Sequence, residues 1–259
     1  MRNLSMVCFA YLAATLIGLA PAQTMLGPTP YTCFDDSPFN GLAAEYFHLE
    51  TFEDHLFNVP GISANRGGVT SVVFGPSIHD SVDCDDGVID GSGLQGDSFF
   101  SITPDITLTF NPIVLGGLPT HAGLVWTDGG AGAQITFEAY GAGGVILGMA
   151  TGNHADSSNA GTTAEDRFYG VINNDGIAAI RIRHTSGGIE IDHIQYGRVL
   201  PTPPCPADFN QDGGIDGADV DAFFAAWEAG DAPADVNQDG GIDGADVDYF
   251  FNVWEAGGC

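Results

Sequence analysis

Apolar and polar residues alternate with period two in three stretches: Ile106, Leu108 and Phe110 around Thr107 and Thr109; Ile135, Phe137 and Ala139 around Thr136 and Glu138; and Ile180 and Ile182 against Arg181 and Arg183. That period turns one side of a strand to a core and the other to water. Residues 123–127, 145–150, 168–172 and 189–196 predict further strands, and turn signals such as Asp128-Gly129-Gly130, Asn173-Asn174-Asp175-Gly176 and Ser186-Gly187-Gly188 separate them. Many short strands with no long helical period predict a mainly β fold, an antiparallel jelly-roll-like β-sandwich over residues 41–199. An irregular lead-in is expected over 23–40, with one short helix from Gly41 to Phe47. Beyond a proline-rich linker at 200–204 the period changes. Val220, Phe223, Phe224 and Trp227 fall at i, i+3, i+4 and i+7, as do Val247, Phe250, Phe251 and Trp254. Each set is one apolar helical stripe, and the two stripes are expected to pack together.

Composition adds a compartment and excludes partners. Residues 1–22 read as a secretory signal peptide: Arg2, an apolar run from Leu4 to Leu19, then the small-residue triplet Ala20-Pro21-Ala22. Export leaves Cys33, Cys84, Cys205 and Cys259, an even set that favours two disulfides outside the cell. Of the three possible pairings, position relative to the domain limits selects Cys33 with Cys84 and Cys205 with Cys259. With 34 acidic residues against 6 arginines and no lysine, the formal charge is −28. Such a surface repels nucleic acid and anionic membranes and suits divalent cations. No membrane insertion is expected once the signal is removed. Charged residues are only 15% and hydrophobic ones 44%, so the chain is expected to fold.

The helical stripes follow a duplication. Asp208, Asn210, Asp212, Gly213, Gly214, Ile215, Asp216 and Asp219 recur 27 residues later as Asp235, Asn237, Asp239, Gly240, Gly241, Ile242, Asp243 and Asp246. Calcium takes several oxygens, and a twelve-residue loop offers them from alternate positions. Positions one, three and five carry side-chain oxygens in both copies, and position six is glycine, where the chain turns sharply. Gly214 and Gly241 offer backbone carbonyls at position seven. Asp216 and Asp243 stand at nine, Asp219 and Asp246 at twelve. Two ions are therefore expected.

The loops close on Asp, and Pro206-Ala207 and Pro233-Ala234 leave no room for a full helix before each loop. The repeat thus resembles a type I dockerin, an F-hand pair that keeps only the exiting helices. The resemblance covers residues 205–259 and implies docking to a cohesin-like or cell-surface protein. Positions ten and eleven are Gly217-Ala218 and Gly244-Ala245 where cellulosomal dockerins often carry hydroxyls. Near-identical halves would let a partner engage either repeat after a half-turn.

The last strands of the larger domain are similar to those of galactose-binding-like jelly rolls, the fold of many carbohydrate-binding modules. That similarity implies a further structural calcium on Glu50 or Glu53 with Asp192; solvent-facing edge-strand residues are the alternative. Asp83, Asp85, Asp86 and Asp90 around Cys84 read as a disulfide-tethered acidic turn. His79-Asp80, His154 with Asp156, and Glu165-Asp166 offer acid/base pairs or solvated turns. Trp126, Tyr140, Phe168 and Tyr169 offer either a sugar-stacking platform or core. No nucleophile elbow, zinc-protease helix or P-loop occurs. The expected function is that of a secreted, non-catalytic binding or structural protein attached through its calcium tail, with glycan as a partner of the sandwich. The alternatives are a small polysaccharide hydrolase of glycoside-hydrolase type, and a matrix component.

Overall fold

The computed structural model describes residues 23–74, 80–94, 96–156, 158, 161–199, 205–237 and 239–257. The signal segment 1–22, His79, the linker 200–204 and Cys259 lie outside these residues. The chain forms two compact units, Met1–Val199 and Leu200–Cys259.

The first unit is mainly β. Its strands are β1 (Thr24–Pro30), β2 (Tyr46–Glu50), β3 (Ile62–Ala64), β4 (Gly68–Val69), β5 (Phe99–Ser101), β6 (Asp105–Phe110), β7 (His121–Gly129), β8 (Ile135–Tyr140), β9 (Ile146–Gly152), β10 (Arg167–Ile172), β11 (Ala179–His184) and β12 (Ile189–Arg198). They make two antiparallel sheets. One has five strands in the order β3-β6-β11-β8-β9; the other has seven, β1-β10-β7-β12-β5-β4, with β2 also paired to β12. One edge of β12 carries β7. Its other edge is shared, Ile189 to Ile191 pairing with β5 and Ile194 to Arg198 with β2.

Alternation decides what lies between the sheets. Ile106, Leu108, Phe137, Ile180 and Ile182 of the five-stranded sheet meet Leu124, Trp126, Tyr169, Ile191, Ile194 and Tyr196 of the other. Val125 and Phe168 point the opposite way and build a second, smaller core with Tyr31, Phe39 and Val82. The seven-stranded sheet is therefore covered on both faces, and the whole of Ile189 to Gly197 is buried. Cys33 and Cys84 are bridged, tying together the two segments that cover this outer face.

Two local expectations change. The lead-in is not irregular throughout, because β1 pairs with β10 along Thr24↔Ile172 to Pro30↔Arg167, interrupted by a bulge and a cis Gly27-Pro28 peptide. Its Gly, Thr and Pro residues lack apolar alternation, so no strand signal precedes it. Residues 41–47 form no helix; Tyr46 and Phe47 open β2 instead. The short helices are α1 (Thr70–Phe74) and α2 (Pro112–Leu115). In α2 the Asn111 side chain caps the amides of Ile113 and Val114, with proline at the first turn.

The second unit contains α3 (Gly217–Ala229) and α4 (Gly244–Glu255). Each starts with a capping box, in which Asp216 and Asp219, or Asp243 and Asp246, satisfy amides that the first turn leaves open. The stripes meet as their spacing implies. Phe223 and Phe250 stack in parallel with ring centres 4.3 Å apart, and Ala234 completes the buried centre.

Candidate cation sites: the paired loops and a buried carboxylate layer

The two loops of the second unit are built alike. Asp208 accepts from the amides of Asp212 (3.1 Å) and Gly213 (3.1 Å), and Asp235 from those of Asp239 (3.1 Å) and Gly240 (3.0 Å). Asn210 and Asn237 each accept from the amide at position five at 2.9 Å. Asp212 and Asp239 accept from Gly214 and Gly241, both at 2.8 Å. Gly213 and Gly240 turn through the left-handed region at φ 86° and 89°, where a side chain would be strained. Asp219 and Asp246 are fully buried and reach back to the amides of Asn210 and Asn237. The Asp216 amide and its neighbours hold the Asp219 carboxyl below the ordinary carboxylate range.

The helices lock the loops reciprocally. Trp227 Nε1 donates to the Asp243 carbonyl (3.0 Å), and Trp254 Nε1 donates to the Asp216 carbonyl (3.4 Å). The donor set is oxygen only, with four Asp per loop, so its chemistry fits a hard cation such as calcium. Cys205, just before the first loop, is not free.

In the first unit, polar residues are buried between the outer face of the seven-stranded sheet and the segments that cover it. Two bulges place them there. Between β12 and β7 the register passes from Asp192↔Val125 to Gln195↔Gly123, so β12 carries one extra residue, at His193, whose φ is +40°. Asp192 and Gln195 therefore share the outer face with Val125, while Ile194 and Tyr196 turn to the core. A hydrogen-bond chain fills this end. Ser37 donates to Gln195 Oε1, Gln195 Nε2 donates to Tyr31 (2.9 Å), Tyr31 meets His193 Nδ1 (2.8 Å) and His193 Nε2 meets Asp85 (2.9 Å). The chain is satisfied throughout when Tyr31 donates to Nδ1 and Nε2–H donates to Asp85. Burial, then the charge of Asp85, pushes the Asp192 carboxyl well above its ordinary range.

The second bulge lies where Ile191↔Trp126 is followed by Glu190↔Asp128, with Thr127 as the extra residue on β7. It throws Asp128 onto the outer face beside Glu190. There Asp80, Asp128 and Glu165 bring one carboxylate oxygen each within 4.8 Å of one another. Burial, followed by the charge of Glu190, holds the Asp80 carboxyl up at about 9. Burial likewise raises Glu165 to about 7 and Asp128 to about 6. Asp83 organises the adjoining loop, accepting from the amides of Asp90, Gly91 and Ser92 and from the Thr163 hydroxyl.

Among the described residues, the threefold gatherings of metal-competent atoms are this one and Asp85–Asp192–His193. The carboxylates of the paired loops instead face their own amides. Glu50, Glu53 and Asp192 are not gathered. Glu50 pairs with Ile194, on the inner face, and its carboxylate holds the amides of Phe52, Asn58 and Val59. Glu53 accepts from the Asp97 amide, and burial raises its carboxyl to about 7. Trp126, Phe168 and Tyr169 are buried and make no sugar platform, while Tyr140 is half-buried and donates to Glu138. In the sequence Asp80 and Glu165 stand in separate acid/base candidates, and Asp128 belongs to a turn signal. Asp-Gly-Gly is a turn signal, and nothing local marks the bulge.

No family model and no curated protein matches the sequence. Solved structures match distantly. The enzymatically active domain of tailspike protein 4 of bacteriophage CBA120 is 13% identical with a TM-score of 0.30, over 58% of this chain and 21% of that one. The carbohydrate-binding module TmCBM61, solved with β-1,4-galactotriose, is 10% identical with a TM-score of 0.28, over 57% of this chain and 95% of that one. A DUF4465 family protein from Bacteroides caccae is 10% identical with a TM-score of 0.30, over 73% and 97%. This chain thus spans about a fifth of the tailspike chain. Among the described residues, no helix is long and apolar enough to cross a membrane.

Proposed function

We propose that this is a secreted, non-catalytic binding or structural protein whose C-terminal unit binds two calcium ions and serves as a dockerin-like attachment module. The observation that carries the reading is the duplicated loop with matching hydrogen bonds in both copies, each held by a tryptophan of the opposite helix. A solvated acidic turn has no reason to repeat four Asp, an Asn and a left-handed glycine at one spacing. Each loop brings like charges close together, at a cost on the order of 1 kcal/mol per pair even in water. A cation removes that cost. At a concentration about a thousandfold above its dissociation constant it would stabilise the fold by roughly 4 kcal/mol per site. The disulfide between Cys33 and Cys84 is compatible with an exterior location.

The symmetry of the unit supports attachment. A partner that recognised α3 and the first loop would find the same residues on α4 and the second loop after a half-turn, so two binding orientations are expected. Val220, Phe223 and Phe224 are spent on the shared core, which leaves polar helix faces and loop rims for recognition. Equilibrium dialysis with radioactive calcium tests the reading. Replacing Asp208, Asp212, Asp235 and Asp239 by Asn in the full chain should remove two bound ions. An unchanged count would refute the reading.

A further inference from the structure

We propose that Asp80, Asp128 and Glu165 form a third calcium site, in the β unit and independent of the C-terminal loops. Their oxygens lie within 4.8 Å of one another, so that small side-chain shifts bring all three to the distances of about 2.3–2.6 Å that calcium takes. Carboxylates alone would not argue for a site, because acidic clusters are common on an acidic protein. Asp80 adds a second observation. It is 2% exposed, and neither of its carboxylate oxygens meets a donor in good hydrogen-bond geometry, the Gly161 amide making only a weak contact. Asp166, fully buried beside it, is in the same condition at both oxygens. Orphaned buried carboxylates are rare and costly, and this pair lies side by side.

Protonation does not resolve the problem, since a neutral carboxylic acid still needs an acceptor for its O–H. Nor does the nearby arginine. The charge of Arg167 reaches Asp166, but its guanidinium donates to the carbonyls of Ala164 (2.9 Å) and Asp166 (2.7 Å). A divalent cation satisfies the oxygens and the charge together. Three carboxylates and no nitrogen or sulfur select a hard ion, and calcium tolerates the irregular shell that two loops and one strand provide.

The fold supports the assignment. The ligands come from three segments distant in sequence: the loop before Cys84, the end of β7 after its bulge, and the turn before β10. Bulges recur where a side chain must be re-aimed, and the one at Thr127 turns Asp128 to the outer face. The Asp80 amide donates to Glu190 (3.3 Å), which fixes the first segment over β12, and the Thr162 hydroxyl orients Glu165. An ion here would fasten both covering loops to the sheet.

The test counts ions bound to the full chain by equilibrium dialysis with radioactive calcium. The wild type is expected to bind three, the protein with both C-terminal loops disabled one, and Asp80→Asn or Asp128→Asn two. Disabled loops that leave no bound ion would overturn the proposal while leaving the C-terminal reading intact. One ion bound to both the wild type and the loop-disabled protein would do the reverse. Thermal unfolding separates a ligand from a merely structural acid. In calcium, Asp80→Asn should melt several degrees below the wild type, because a ligand has been lost, and in chelator the gap should close. A variant less stable than the wild type by the same margin in both would overturn the proposal. Should Asp80→Asn not fold, the half-buried Asp128→Asn carries the same comparison.

Discussion

Buried titratable groups set the pH response of the β unit residue by residue. His154 stands edge-on to Trp126 and bonds Tyr169 through Nε2 at 2.7 Å. Burial, helped by the charge of Arg167, lowers its imidazole from 6.5 to about 4. The folded value lies below the unfolded one, so this contribution to stability is complete above about 6.5 and is lost as pH falls toward 4. NMR titration should find His154 still neutral at pH 5; a midpoint near 6.5 would contradict the burial argument. Asp83 contributes through its hydrogen bonds. Its oxygens gather three consecutive amides and a hydroxyl, and Asp83→Ala leaves those donors without an acceptor in a partly buried loop. A loss of about 3 kcal/mol is expected in urea unfolding, and a loss within 0.5 kcal/mol would show that the loop repacks.

At the scale of elements, what alternation or helical spacing can express was legible in the sequence. β6, β8 and β11 were readable because each alternates apolar with polar residues, and α3 and α4 because their aromatic stripes keep one face. β1, β3, β4 and β5 were not. β1 is an edge strand whose Met25 and Leu26 stand adjacent among Gly, Thr and Pro, so nothing alternates, and β3, β4 and β5 have two or three residues each, too few for a period. The buried carboxylate layer escaped for a different reason. Whether Asp128 faces the core or the covering loops depends on a bulge that pairing with β12 creates, and that information is not local. The same holds for Glu50, whose partner Ile194 turns inward only because His193 is an inserted residue. Two element-scale outcomes follow from packing. Phe250→Ala removes half of the stacked pair at the centre of the second unit and should cost about 3–5 kcal/mol there, read as loss of helical signal. Replacing Cys33 and Cys84 by Ser opens a loop closed over 51 residues and should cost roughly 4 kcal/mol in the chain-entropy model, with the loss confined to the β unit.

For the whole molecule, charge is the dominant fact. A formal charge of −28, with six arginines against 34 acidic residues, leaves carboxylates without enough cations of their own. Among the described residues the arginines are already committed: Arg66 and Arg181 to Asp105, Arg181 and Arg183 to Glu138, Arg198 to Glu45, and Arg167 to the carbonyls of Ala164 and Asp166. Many of the remaining acids are gathered where an external cation would sit, in the paired loops and under the covering segments of the sheet, while others such as Glu50 hold backbone amides. The proposed calcium sites join the duplicated tail and the buried layer in one account. Its most direct test is hydrogen exchange of the backbone amides of α3 and α4 in the full chain, compared between millimolar calcium and chelator. Calcium-coupled folding predicts protection in calcium that falls by at least a hundredfold in chelator. Equal protection in both would contradict it.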